Sequence, residues 1–180
     1  MNAWNDVIVD ESSMQDMISS LNSDQQRVFN HVSSTICSDA GPPMRHFVSG
    51  VGGTGKSYLI KTIKCWTKLS MNKMVALSAP TGVAAYNIEG ITIHRLLQLP
   101  IEHGKIPEYK PLSDAVLKVI RDSLKNVVLI IIDEISMISN LTLLYIHFRL
   151  TEVFDSGDKE DGWFGGLHVL VFGDLLQLPP

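Results

Sequence analysis

The segment Gly50-Val51-Gly52-Gly53-Thr54-Gly55-Lys56-Ser57 has the spacing G-x-x-x-x-G-K-[ST]. A glycine-rich backbone of this kind curls so that its N–H groups face phosphate oxygens. A helix opening near Lys56 brings the positive end of its dipole to the same place. In this reading Lys56 reaches the β- and γ-phosphates of a nucleoside triphosphate, and the Ser57 hydroxyl is a ligand for Mg2+. The structural alternative is a glycine-rich turn with an incidental lysine, and the placement after Phe47-Val48 and before a helical pattern favours phosphate binding. Asp133 and Glu134 follow the apolar run from Val127 to Ile132. Neighbouring strand residues point to opposite faces, so the two carboxylates divide the work. Asp133 partners Mg2+, and Glu134 orients and deprotonates an attacking water. Alone, such a pair is as often a helix cap. Gln177, in Gly173-Asp174-Leu175-Leu176-Gln177-Leu178-Pro179-Pro180, is a neutral amide able to donate to a γ-phosphate oxygen, with an exposed turn glutamine as the alternative. In Ala79-Pro80-Thr81-Gly82-Val83-Ala84-Ala85, small residues admit a polymer backbone and Thr81 can donate to a phosphate; a plain helix start competes with that reading.

Four short apolar runs hold these residues: Phe47-Val48, Met74 to Leu77, Val127 to Ile132 and Val169 to Phe172. Helical patterns lie between them. Leu59, Ile63 and Trp66 form one stripe, Leu112, Val116, Val119 and Ile120 a second, and Leu141, Leu144, Tyr145 and Phe148 a third. Upstream, Asn22 opens a helix with Val28, Phe29, Val32 and Ile36 on one face, and Gly41-Pro42-Pro43 breaks it. Strands apolar on both faces and alternating with helices predict an α/β fold, a parallel sheet covered by helices on both sides. Ligands in such sheets sit beyond the carboxyl ends of the strands, where every residue singled out above falls. Residues 1–20 lack periodicity and read as a leader or linker, and residues 21–180 as one domain. The strand from Val169 to Phe172, near the end of the sequence, is the one expected to be short of a neighbour.

At 180 residues with 45% hydrophobic and 19% charged, the chain can bury a core. The longest apolar run is far too short for a membrane span. Two cysteines exclude a disulfide scaffold and fit a reduced, intracellular setting. The net charge of −4 conceals a division: residues 41–100 carry seven basic groups against Glu89 alone, while both flanks are acidic. A basic middle suits a phosphate polymer. The wet face of a helix accounts equally well for Lys61, Lys64 and Lys68.

Taken in order, Leu21-Asn22-Ser23-Asp24-Gln25, GVGGTGKS, APTGVAA, GITIHRLL, IIDEISM and GDLLQLPP resemble the superfamily-one DNA helicases of the Pif type, kin of RecD, over about residues 21–180. The resemblance implies a P-loop NTPase of RecA-like fold, truncated to its first lobe, with a second RecA-like lobe beyond the C-terminus. It implies ATP as substrate with Mg2+, and single-stranded DNA and duplex junctions as partners. The activity it implies is 5′-to-3′ unwinding in replication, repair, recombination and telomere maintenance. Gln25 is then the glutamine that reads the adenine edge, although its position three residues after Asn22 also suits a capping box. Pro80, Thr81, Gly82, Thr92 and His94 match motifs that grip the single strand. Arg95 stands where the family often has a small polar residue, and Leu175 or Leu176 replaces a common aromatic. The resemblance points to the nucleus, with a mitochondrial, viral or transposon setting open. Three alternatives stay open: a non-helicase P-loop ATPase, an inactive transposon-derived nucleotide-binding fragment, and an RNA-directed enzyme of the same superfamily.

Overall fold

The computed structural model describes residues 10–38, 41–100 and 108–174. Asn22 opens a helix as its side-chain chemistry predicts. Its Oδ1 accepts the Gln25 N–H at 3.0 Å, and the Gln25 Oε1 accepts the Asn22 N–H at 3.0 Å. This reciprocal box starts α2 (Ser23–Cys37), which buries Phe29, Val32 and Ile36. An earlier helix, α1 (Glu11–Ser19), is capped by Asp10 and buries Met14. The expectation that residues 1–20 lack helical structure therefore fails over Glu11–Ser19. Two turns with one buried side chain are too short to show a period. What holds α1 is tertiary contact with α3 (Lys56–Met71), where the Tyr58 hydroxyl donates to the Met17 carbonyl at 3.4 Å.

Five parallel strands form one sheet in the order β1-β5-β4-β2-β3: β1 (Arg45–Ser49), β2 (Met74–Ala79), β3 (Ile91–Thr92), β4 (Val127–Ile132) and β5 (His168–Gly173). Alternation along β4 feeds two cores. Ile130 and Ile132 meet α5 (Ile93–Leu97), α6 (Asp114–Leu124) and α7 (Asn140–Phe154) on one face, while Leu129 and Ile131 meet α2 and α3 on the other. Each such fully buried aliphatic side chain contributes about 1.5–3 kcal/mol.

The structure corrects three expectations. β5 is flanked on both sides, by β1 and β4. β1, with Phe47 41% exposed, stands at one edge of the sheet, and β3 at the other. On α6 the buried face is Leu117, Ile120 and Leu124, with Val119 in solvent. On α7 it is Tyr145, Ile146, Arg149, Leu150 and Val153, while Leu144 and Phe148 are exposed. The expected stripe of Leu141, Leu144, Tyr145 and Phe148 is thus rotated away from the buried face, which includes Arg149.

Candidate functional site

The ladder between β1 and β5 runs one bond past the strands, with the Gly50 N–H donating to the Gly173 carbonyl at 3.1 Å. That bond fixes where the glycine-rich loop leaves the sheet. The loop returns into α3 through Gly55, whose φ of 80° is left-handed. A Cβ there would lie 2.4 Å from the Gln25 Nε2, so both the backbone conformation and the space demand glycine. The Lys56 ammonium arches back to donate to the carbonyls of Gly50 at 2.6 Å and Val51 at 3.2 Å. Thr54 braces the same turn, its hydroxyl donating to the Val51 carbonyl at 2.9 Å. Val51, Gly52, Gly53 and Thr54 are exposed, and Ser57, in the first turn of α3, is half-buried.

Gln25 serves the cap and the loop together. Beyond the box with Asn22, its Nε2 donates to the Thr54 carbonyl at 3.1 Å and the Gly55 carbonyl at 3.3 Å. The capping role is thus realised. The amide also faces a cavity of about 450 Å³ between the start of α2 and the loop, lined by Asn22, Gln25, Phe47, Gly50, Lys56 and neighbours. A base could enter there, with the Gln25 Oε1 still holding a free lone pair.

Asp133 is buried just past β4, where its N–H donates to the Ser78 carbonyl at 2.9 Å and so extends the pairing with β2. Burial pushes its carboxyl above the ordinary value and the neighbouring Glu134 adds to this, while the Glu134 N–H and Lys56 oppose it. The two carboxylates diverge for a reason other than strand alternation. Glu134 adopts a left-handed φ of 54° and leads into a 3₁₀ turn, Ile135–Met137. Its Oε2 is buried without a hydrogen-bond partner among the described residues, as is the Ser136 hydroxyl. An orphan carboxylate oxygen in a strained backbone conformation is a common mark of a working site. Ser136 was not legible in the sequence, and only its burial exposes it. Gln177 lies outside the described residues, as do Leu175 and Leu176; the buried Asp174, at the end of β5, is the last residue before them.

Asp133 contributes a signed pH dependence. Because its folded pKa is raised, the folded chain holds a proton that the unfolded chain has lost between the ordinary and the raised value. Stability therefore falls as pH rises through that window. Asp133→Asn keeps an acceptor for the Glu134 N–H and escapes the cost. In chelator and without nucleotide at pH 7, its Tm should exceed the parent's. The gap should close as pH falls towards 4. A lower Tm for the asparagine variant at pH 7 would contradict the desolvation account.

The polymer-facing candidates gather on the adjoining part of the same edge. Ala79 pairs with Thr92 in the β2–β3 register, so Pro80, Thr81 and Gly82 stand beside Thr92. Thr81 caps α4 (Gly82–Asn87), its Oγ1 accepting the Ala84 N–H at 3.2 Å. The hydroxyl proton is not consumed by that bond, so the helix-start and phosphate readings coexist. Among the described residues, no atom lies within 4 Å of a Cβ placed on Gly82. His94 and Arg95 lie on α5, directly after the two-residue β3; Arg95 is exposed and His94 half-buried. Lys61 and Lys64 pair with Glu89 at 3.0 and 3.4 Å. Those two cations are partnered within the fold and support the wet-face reading. Among the described residues, no cluster of three His, Cys, Asp or Glu side chains forms a metal site of its own.

A glycine-rich loop after β1, carboxylates after β4 and a strand wedged between the two make an α/β domain of the P-loop, RecA-like class of fold. Residues 20–180 match the profile of the PIF1-like helicase family, and the chain belongs to that family. It is 36% identical over 134 residues to the human ATP-dependent DNA helicase PIF1, covering 74% of this chain and 20% of that one. Among solved structures, it resembles Pif1 helicases from a study of unwinding at forked double-stranded DNA, with TM-score 0.70, 33% identity, 89% of this chain covered and 35% of that one. A Bacteroides Pif1 helicase in complex with ADP-AlF3 and single-stranded DNA matches with TM-score 0.66 and 32% identity, covering 89% of this chain and 33% of that one. The chain thus spans a fifth of the human relative and about a third of the solved helicases. No helix among the described residues is long and apolar enough to cross a membrane.

Proposed function

We propose that the chain is the nucleotide-binding lobe of an ATP-dependent 5′-to-3′ DNA helicase, and that ATP and single-stranded DNA bind neighbouring parts of one sheet edge. The observation that carries this is the main-chain bond from Asp133 to Ser78 at 2.9 Å. It joins the carboxylate end of β4 to β2, whose own end leads directly into Pro80-Thr81-Gly82. A change in how Asp133 is held is then felt at the polymer edge one strand away.

The chemistry follows from the side chains. Lys56 neutralises the β- and γ-phosphates, and the loop N–H groups hold their oxygens. Glu134 accepts a proton through its orphan Oε2 as a water oxygen bonds to the γ-phosphorus and the bond to the ADP oxygen breaks. Gln25 reads the base, and Gln177 senses the γ-phosphate. Ser57 and Asp133 offer hard oxygen donors suited to Mg2+, which supplies charge neutralisation on the phosphates when bound. The raised pKa of Asp133 fits such a role, because a nearby cation returns the carboxyl to its charged form. Pro80, Thr81, Gly82, Thr92, His94 and Arg95 contact the sugar–phosphate backbone. A second RecA-like lobe closes the cleft and supplies arginines, as the greater length of the relatives supports. The relatives' names, ATP-dependent DNA helicases, support a role in DNA processing; an intracellular, most simply nuclear, setting and a part in telomere maintenance belong to the proposal. The family match counts against a non-helicase ATPase.

Titration of a fluorescent oligo-dT strand against salt tests this reading. Binding should weaken as salt rises, because Lys and Arg release counterions from the phosphates. Gly82→Ala has room within the fold, yet should weaken the strand by about 1–2 kcal/mol, roughly 5- to 30-fold, through the added methyl against the DNA backbone. Salt-independent binding, or an unchanged Gly82→Ala affinity, would remove this edge from the DNA path.

A further inference from the structure

Arg149 is 1% exposed, and its charge is absorbed by a network that the nucleotide chemistry does not use. Its Nη1 donates to the Glu152 carboxylate at 2.5 Å, one turn along α7. Its Nη2 donates to two main-chain carbonyls from elsewhere in the chain: Gln98 at 3.4 Å and Lys110 at 3.1 Å. The guanidinium also lies 4.9 Å from the centre of the Tyr109 ring. Glu152 completes the arrangement, accepting the Tyr109 hydroxyl at 2.6 Å and the Leu112 N–H at 2.8 Å.

The partners define what the network holds. Gln98 is the C-cap of α5, in a left-handed conformation, and its own amide donates to the Arg95 carbonyl at 3.1 Å. α5 is only five residues long, too short to hold its place by its own hydrogen bonds. Tyr109, Lys110 and Leu112 belong to the approach to α6. The pair therefore fastens the end of α5 and the start of the α6 segment to one point on α7. Buried ion pairs rarely outperform apolar replacements in stability, and here the Arg149 Nε is left buried without a partner among the described residues. What this pair offers in exchange is geometry: a planar fork with fixed directions, aimed at main-chain atoms.

We propose that Arg149 and Glu152 are positioning residues for the grip on the nucleic acid, setting where α5 presents His94 and Arg95 at the sheet edge. This rests on the reading above that α5 faces single-stranded DNA. The two groups act through α5 and touch neither nucleotide nor DNA. Removing the guanidinium frees the Gln98 carbonyl and lets α5 shift against α7, while the loop at residues 50–55, on the opposite side of the sheet order, keeps its own bonds.

The test measures two affinities on each variant: a fluorescent ATP analogue with Mg2+, and a labelled oligo-dT strand. Arg149→Met and Glu152→Gln should each weaken the DNA by about tenfold or more and leave nucleotide affinity within about twofold. Arg149→Lys, which keeps the charge but lacks the fork, should recover less than half of the loss. If Arg149→Met does not fold, Glu152→Gln decides, since it retains volume and an acceptor for the Leu112 N–H. Unchanged DNA affinity in folded Glu152→Gln, or an equal loss of both affinities alongside a fall in Tm, would overturn the positioning role. Arg95→Ala and His94→Ala separate the two layers. If these leave DNA binding intact, the assignment of α5 to DNA fails, and the positioning role fails with it. If they weaken it while the Arg149 and Glu152 variants do not, the positioning role alone fails.

Discussion

Glu134→Gln should lower ATP turnover by about 10²–10⁴-fold, the range typical of a positioned general base, while nucleotide affinity stays within a few-fold of the parent. The expectation rests on the buried, unpartnered Oε2 and on the left-handed backbone that turns the side chain away from the direction of β4. Glutamine preserves volume and one oxygen but cannot take the proton from water. Phosphate release under single-turnover conditions, with and without oligo-dT, measures the chemical step, and retention of the fluorescent analogue measures binding. A rate within threefold of the parent would show that another group accepts the proton. Loss of binding in parallel with rate would instead mean that Glu134 holds the nucleotide.

Lys56→Ala should weaken ATP by about 2–5 kcal/mol, roughly 30- to 5,000-fold, the usual cost of removing one member of a desolvated, hydrogen-bonded charge pair. Part of the loss has a local origin. The ammonium spans the loop to the carbonyls of Gly50 and Val51 at 2.6 and 3.2 Å, so its removal takes away a brace as well as a charge. Lys56→Arg distinguishes the two contributions. The guanidinium retains charge but is too wide for a turn shaped around an ammonium, so affinity should remain well below the parent. Calorimetric titration with Mg-ATP reads both variants. Parent-like affinity in Lys56→Ala would end the assignment of residues 50–57 as the phosphate loop.

Much of this arrangement was legible in the residues. The glycine spacing, the carboxylates after a run of branched aliphatics and the asparagine cap at position 22 each follow from local chemistry, and each stands where the periodicity put it. The legible part of α2 was its apolar face, because its charged and polar residues do lie in solvent. On α7 the same rule misled, since Arg149 is neutralised by Glu152 and by carbonyls 39 and 51 residues away in sequence. α1 was missed because one buried methionine in two turns carries no period. Val119 was assigned to the core because an apolar residue on a helix is read as inward, whereas here it is 68% exposed.

Sequence alone determined which groups are candidates for chemistry: a glycine-rich loop with a lysine, a carboxylate pair and a polar edge motif, each at the carboxyl end of a strand. Bond geometry and residue type act over a few positions, and those are written in the chain. Only the tertiary structure decided which strand ends are neighbours. β5 lies between β1 and β4, so Asp174 at its end stands between the loop and the carboxylates; β2 pairs with both β4 and β3, so Asp133 and Thr92 flank the same strand. Strand order is set by which pairings bury both sheet faces at once. That is a condition on the whole fold, and no local pattern contains it.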